Sequence, residues 1–402
     1  MFLCNTWRYG MVAIFLFSTL FADYEPKQQT TFIDELYDLS GITVRVLLAQ
    51  QVYGQSFSFY SSRGFSLYDY ENAKDVVTQE TQAYFTLDFK SDGVFVEGKK
   101  VCSKSIMFRP YNGIIEHEGN IYQGDFYIIK QNGIYFLINC VPLEDYVFSV
   151  LKTESWPGWP VEINKVLAIT CRSYILHQMV LSTEKDALYH VKNTNHHQTY
   201  QGLHNCKIIR QAVTETSGLF LGYEGEPILA MFDCCCGGVI PADISGFVDF
   251  VKAPYLARTY PCTYCSSCKS YKWSFSYTFD LLTQGLQVEL DAIVYPIKDI
   301  HIALKDKAGL VKKVSIKTKK QEYTLTHQQF THIAKKVRSR FYSIIKRGKH
   351  VVIKGKGFGH HMGLCQWGAR EMVRRGFSYR KILDFYYPET SLMKVVPKKS
   401  QE

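Results

Sequence analysis

Between residues 41 and 141 the chain repeatedly changes direction. ITVRVLLAQ, FSFYS, AYFTLDF, GVFVEG, SIMFRP, GIIEHEGNIYQGDFYIIK and NGIYFLINC are short runs with alternating apolar positions, cut by Gly, Asn and Ser. That period of two, broken by turn residues, reads as a β-rich module. At residue 142 the period changes. Leu143, Tyr146, Val147, Val150 and Leu151 fall on one face of a helix that opens after Pro142. A second helix follows Pro160, with Ile163, Val166, Leu167, Thr170, Tyr174 and Ile175 on one face. SWPGWP joins them, so residues 142–183 predict a helical hairpin. Residues 219–258 return to strand and loop. Residues 270–350 read as a mixed α/β excursion, and residues 351–387 as strand, Gly-rich turn, helix and a short aromatic helix. The fold class expected is α+β: a β-rich module over 41–141, a mixed α/β region over 142–390 with a central helical hairpin and a C-terminal strand, Gly-rich turn and helix, and a basic tail over 391–402. There are 28 Tyr and 26 Phe, which suit sheets and cores first and a carbohydrate-facing cleft second.

Residues 1–22 carry one Arg and then MVAIFLFSTLFA. This has the layout of a secretory signal peptide. Leu20 stands where a small residue is expected before a cut at Ala22, so membrane anchoring through residues 9–22 is the alternative. Residues 23–40 read as a linker. Export to a periplasm, or to the outer face of the cytoplasmic membrane, redirects the meaning of the net charge of +10. Nucleic acid, the usual partner of a basic chain, is out of reach there, and anionic wall polymers remain.

One residue in the hairpin breaks the pattern. Glu154 stands eleven residues after Leu143, which at about 100° per residue is about 20° off the apolar stripe. The carboxyl therefore points to the buried side, at a helix C-terminus whose dipole disfavours negative charge. Trp156 and Trp159 stand ready to wall it off. Burial and dipole both raise a carboxyl pKa, which suits a general acid. The alternative is a frayed helix end with Glu154 exposed. Arg172, on the next helix, could hold a carboxylate or an acyl group, or form an ordinary salt bridge.

HVVIKGKGFGHHMGLCQWGAREMVRRG is the other informative stretch. Its G-x-G-x-G spacing does not fit a dinucleotide or P-loop site. Glycines at 357 and 359 allow close approach of an extended ligand. His360, His361 and Gln366 offer hydrogen bonds beside Trp367, on which a sugar ring could stack. Among the 12 cysteines, two clusters stand out, Cys234–Cys236 and Cys262, Cys265 and Cys268. Cys236, Cys262, Cys265 and Cys268 have the number and loop spacing of a tetrahedral thiolate zinc site; in an oxidising compartment the same sulfurs could form disulfides.

Taken in order, Pro142-Leu-Glu-Asp-Tyr-Val147, Glu154 with Trp159-Pro160, Ala168, Arg172 and Tyr174, Gly237-Gly238, Ala253-Pro-Tyr-Leu256 and Gly357-x-Gly-His-x-x-Gly-x-x-Gln-Trp-Gly-Ala369 resemble the SpoIID/LytB family, the stage II sporulation protein D and amidase-enhancer group. The resemblance runs from about residue 41 to 390. It implies a lytic transglycosylase acting on peptidoglycan glycan strands, those freed of stem peptides in particular, with one essential Glu matching Glu154 and no cofactor needed for the chemistry. It also implies a second class of function, a non-catalytic wall-binding enhancer of an N-acetylmuramoyl-L-alanine amidase. The expected catalytic residue is Glu154. Trp156, Arg172, Gln198, Tyr200, Gly357, Gly359, His360, Gln366 and Trp367 are the expected substrate-binding residues. The chain departs from the family pattern at His361, where Gly is usual, and at Cys365, where Ser or Thr is usual. Some members bind a metal through the segment that here reads TNHHQTYQG, with His196, His197, His204 and Cys206 as nearby ligand types.

Overall fold

The computed structural model describes residues 42–395, apart from positions 70, 71, 73, 103, 104, 112 and 195. The signal or anchor at 1–22, the linker at 23–40 and most of the basic tail lie outside these residues. Both strands and helices are extensive, and the fold is α+β. Among the described residues no helix is long and apolar enough to cross a membrane.

The N-terminal half forms two sheets. One runs in the order Val191–Lys192, Thr43–Gln51, Ile134–Pro142, Asp125–Gln131, Ser105–Pro110, Phe65–Asp69, Lys74–Gln79. The other runs Asn120–Gln123, Ile114–His117, Ser56–Ser61, Ala83–Lys90, Gly93–Val96, Lys99–Cys102. Alternation places Phe57, Phe59 and Ser61 of one strand on the buried side, as a pleated strand requires. The sheets meet through aromatic rings: Phe65 stacks on Phe85 at 3.9 Å, Phe89 on Tyr135 at 4.4 Å, and Phe59 reaches Phe108 at 5.5 Å. Each buried ring contributes about 2 kcal/mol. Much of the phenylalanine content is spent here.

Helix α1 (Leu143–Glu154) leaves the strand Ile134–Pro142 without a loop, with Pro142 as its N-cap. Its first turn carries Glu144 and Asp145, complementing the helix dipole. Helix α2 (Val161–Glu184) is the central pillar, buried on nearly every side from Ile163 to Met179. It packs on α1, on α3 (Lys207–Glu215) and on the strand Leu219–Tyr223. The first part of the expected tail, Ser391–Lys394, is a strand that pairs antiparallel with Leu219–Tyr223.

The excursion has a core of its own. Trp273, Leu282, Leu286, Val314, Ile316, Phe330 and Ile353 fill it, under two three-stranded sheets and the helices α4 (Phe279–Leu290) and α5 (His327–Ile333). Thr278 caps α4, and Thr326 with Gln329 forms a capping box on α5. By contrast the β-rich module, the α1–α2 hairpin and the last helices, α6 (Gln366–Arg374) and α7 (Tyr379–Tyr386), share one continuous core.

Candidate active site at the end of helix α1

Helix α1 ends at Glu154, and Ser155 turns extended (φ −102°, ψ 165°). Buried Asn164 holds the following turn. It accepts from Ser155 Oγ at 2.7 Å and donates to the carbonyls of Trp159 and Pro160 at 3.2 and 3.0 Å. Glu154 is half-buried. Burial raises its carboxyl above the ordinary 4.5, and the N–H of Thr199, donating to Oε1 at 3.2 Å, partly offsets the rise. No basic side chain contributes to the shift. The frayed, exposed end is therefore not what forms.

Three tryptophans gather beside it. Trp156, Trp159 and Trp367 lie 5.9–6.4 Å apart, centroid to centroid. Trp159 is buried, whereas Trp156 is 48% exposed and presents a ring to solvent. Gln366, at the start of α6, donates from Nε2 to the backbone carbonyl of Glu154 at 2.9 Å. That carbonyl belongs to the last helical turn, which has no partner within the helix. Glu154, Trp156, Gln366 and Trp367 are thus brought together. A hollow of about 600 Å³ on the seven-stranded sheet, lined by Thr43, Arg45 and Tyr127 among others, contains none of these residues.

Other expected ligand-binding residues turn out to be framework. Arg172 is fully buried and grips Glu144 with two bonds, Nε to Oε1 at 2.9 Å and Nη2 to Oε2 at 2.7 Å, while Nη1 donates to the carbonyl of Leu219. Of its two readings, the salt bridge is the one that forms, and the buried guanidinium presents no surface to a substrate. Gln198 and Tyr200 are also buried. Tyr146 donates to Gln198 Oε1 at 3.0 Å, and Tyr200 donates to Asn139 at 2.6 Å. Their service is indirect: with Ser149 donating to the carbonyl of Gly202, they lace the segment against α1 and put the N–H of Thr199 on the acid.

The glycine turn faces protein rather than a cleft. A Cβ on Gly359 would sit 2.3 Å from Cβ of Asp233, and one on Gly357 would sit 2.7 Å from the carbonyl of Cys235. Both glycines have positive φ, 129° and 80°. His360 is committed as well: Nδ1 accepts from the N–H of Met362, so Nε2 carries the proton and donates to the carbonyl of Phe232. Burial pulls its pKa down to about 4. His361 (φ 71°) donates its N–H to Asp233 at 2.8 Å, and its ring Nδ1 donates to the carbonyl of Cys236. Asp233, buried and pushed well above the usual carboxylate range, anchors the whole turn. Nothing in its local sequence marks it out.

The sulfurs rearrange the expected set. Cys236, Cys262 and Cys265 do converge, but the fourth member is Cys365 and not Cys268. Cys268 instead accepts from the N–H of Ser270 and lies beside Cys234 and Cys235. Among the described residues this is the one converging group of ligand side chains. His196, His197, His204 and Cys206 form none. His204 spends Nε2 on the carbonyl of Phe148 and Nδ1 on the N–H of Cys206.

Comparison with known proteins fits this site. A family model described as stage II sporulation protein matches residues 131–223, which span α1, α2 and Thr199, and one described as a domain of unknown function matches residues 263–363. An uncharacterized protein of Brachyspira hyodysenteriae is 28% identical over 324 residues, 80% of this chain and 86% of its own. Stage II sporulation protein D of Bacillus amyloliquefaciens is 26% identical over 61% of this chain and 73% of its own. An amidase enhancer of Bacillus subtilis is 24% identical over 60% of this chain but only 39% of its own length. Over these matches the chain is similar to the SpoIID/LytB group, that of stage II sporulation protein D and the amidase enhancer.

Proposed function

We propose that the chain acts on the cell wall outside the cytoplasm, as a peptidoglycan lytic transglycosylase with Glu154 as its single acid and base. The observation that carries this reading is the half-buried carboxyl of Glu154, raised by desolvation, next to an exposed Trp156 ring. A wall-binding protein has no need of an acid held against its own ionisation. A glycan strand stacked on Trp156 brings its glycosidic oxygen to the acid. Glu154 gives its proton to that oxygen as the C1–O bond breaks. Its carboxylate then takes the proton of the C6 hydroxyl as that oxygen attacks C1. The products are a new 4-hydroxyl end and a 1,6-anhydromuramoyl end, and no water is consumed. Hydrolysis of a glycosidic bond ordinarily uses two carboxylates, and this route needs one.

The amidase-enhancer relative supports a second reading, a binder that stimulates a cell-wall amidase without cutting glycan. Incubation with intact and amidase-stripped peptidoglycan, followed by mass spectrometry of the ends, separates the two. Wild type should release anhydromuramoyl ends, and Glu154→Gln should release none while still binding wall. Equal release by both proteins would end the proposed mechanism. No release by either, with stimulation of an added amidase, would favour the enhancer.

A further inference from the structure

We propose that Cys236, Cys262, Cys265 and Cys365 hold one structural zinc ion, which clamps the start of α6 against the Glu154 turn. All four thiols are buried, and their sulfurs lie within 4.8 Å of one another. The spacing suits a metal better than disulfides. Zinc–thiolate bonds of about 2.3 Å in a tetrahedron place sulfurs about 3.8 Å apart. Sγ of Cys236 and Sγ of Cys265 are 3.7 Å apart. A disulfide would draw them to about 2 Å and leave the other two sulfurs to pair across the same centre.

The surroundings are those of thiolates. The N–H of Cys236 donates to Sγ of Cys365 at 3.3 Å, and the buried hydroxyl of Tyr386 lies 3.2 Å from Sγ of Cys262. Such outer donors orient and tune metal-bound sulfur. Gly368 keeps the space open, since a Cβ there would lie 2.7 Å from Sγ of Cys262 and 2.1 Å from the Tyr386 hydroxyl oxygen. Four thiolates around a divalent ion leave two negative charges, which a buried site must balance. Arg258 is buried over the ring of Tyr386, 5.7 Å from its centroid, with Nε and Nη2 lacking hydrogen-bond partners among the described residues. An all-sulfur tetrahedral set selects zinc over harder cations.

The ligands come from three separate places: the loop after the strand Phe232–Asp233, the single 3₁₀ turn Tyr264–Ser267 with its approach, and the residue before α6. Between Pro227 and Lys272 the chain holds little regular structure beyond short 3₁₀ turns, so a cross-link has much to hold. Cys365 adjoins Gln366, which grips the Glu154 carbonyl. The carbonyl of Cys236 takes the ring N–H of His361. The ion would therefore set the position of the acid without touching substrate. The site stands whether or not the chain cuts glycan.

The test uses the full chain, purified without chelator. Elemental analysis should find about one zinc per chain, and X-ray absorption should fit four sulfurs at about 2.3 Å. Cys365→Ser should fall from about one zinc to near none, whereas Cys268→Ser should keep its zinc. Metal-free protein with four free thiols, or two disulfides mapped among these cysteines, would overturn the proposal. So would iron in place of zinc, or a Cys268→Ser protein that loses the metal. Should Cys365→Ser fail to fold, the wild-type analysis and Cys268→Ser still decide.

Discussion

Gln366→Met is the perturbation that isolates how the acid is held. Gln366 is 6% exposed, and its amide lies 2.9 Å from the Glu154 carbonyl. Methionine has nearly the same volume and shape but no N–H. The substitution leaves the chemistry of Glu154 intact and removes one tie. A half-buried carbonyl that loses its partner costs about 1–2 kcal/mol. If that bond is needed to present the acid to the glycosidic oxygen, the same energy appears in the barrier, and turnover falls about 5- to 30-fold. A carboxyl displaced by about 1 Å would lose about 100-fold. The loss should fall on kcat, with KM little changed, because Trp156 still binds sugar. Gln366→Asn, one methylene too short, should behave like Met. The assay is release of anhydromuramoyl ends from purified glycan strands across substrate concentrations, beside a melting curve. A folded Gln366→Met protein with wild-type kcat would show that the tie does not position the acid.

Two further outcomes follow from the same geometry. Arg172→Ala should lower stability by about 3 kcal/mol, at the low end for a broken buried pair because Glu144 is a quarter exposed; thermal melts check this, and native stability with weakened wall binding would restore Arg172 to the substrate. Trp159→Ala should admit water to Glu154 and lower its raised pKa toward 4.5. Because the proposed reaction starts from the protonated acid, kcat/KM should fall as pH rises through that pKa, so the descending limb should move to lower pH; an unmoved limb would assign it to another group. The linkage to stability has the same direction: the contribution of the raised carboxyl is present below pH 4.5 and lost as pH climbs through the folded value.

What could be read in advance was local. The stripe from Leu143 to Leu151 set the face of α1, and the angle to Glu154 followed from it, so the acid's half-buried placement was legible. The alternation in FSFYS and AYFTLDF likewise gave the buried faces that now meet as Phe59 and Phe85. What escaped depends on partners distant in the chain. Arg172 reads equally as ligand holder or ion pair until α2 packs on α1 and Glu144, 28 residues earlier, closes on it. Cys268 continues the C-x-x-C spacing, but Cys268 is the C-cap of the 3₁₀ turn, and its sulfur lies beside Cys234 and Cys235. The true fourth sulfur stood at the one position of the glycine motif where cysteine replaces the usual hydroxyl residue, and only the parallel pairing of Phe232–Asp233 with Leu364–Cys365 brings it in. Helix α3 carries its signal only in the spacing of Ile209, Ala212 and Val213. Glycines 357 and 359 were read for ligand approach, and the close approach is real, but it is to Asp233 and Cys235.

A single carboxyl that must first give a proton and then take one has conflicting needs. Burial alone would favour the neutral acid and make the carboxylate costly after the first transfer. Exposure alone would leave the acid ionised before the reaction began. At Glu154 the two are set against each other: desolvation raises the pKa, and the N–H of Thr199 on Oε1 lowers it by favouring the anion. That N–H is presented by a segment whose neighbours, Gln198, Tyr200 and Gly202, are each bonded to α1 or the strand before it. The carboxylate end of Glu154 is thus referenced to residues 198–202, and its carbonyl end to Gln366 on the far side. Loosening either tie changes a different half of the proton cycle. On the proposed route, loss of Gln366 would move the acid away from the oxygen it protonates. Disturbing the 198–202 segment removes the donor that steadies the carboxylate and should raise the pKa further, extending the descending limb to higher pH while slowing the capture of the C6 proton.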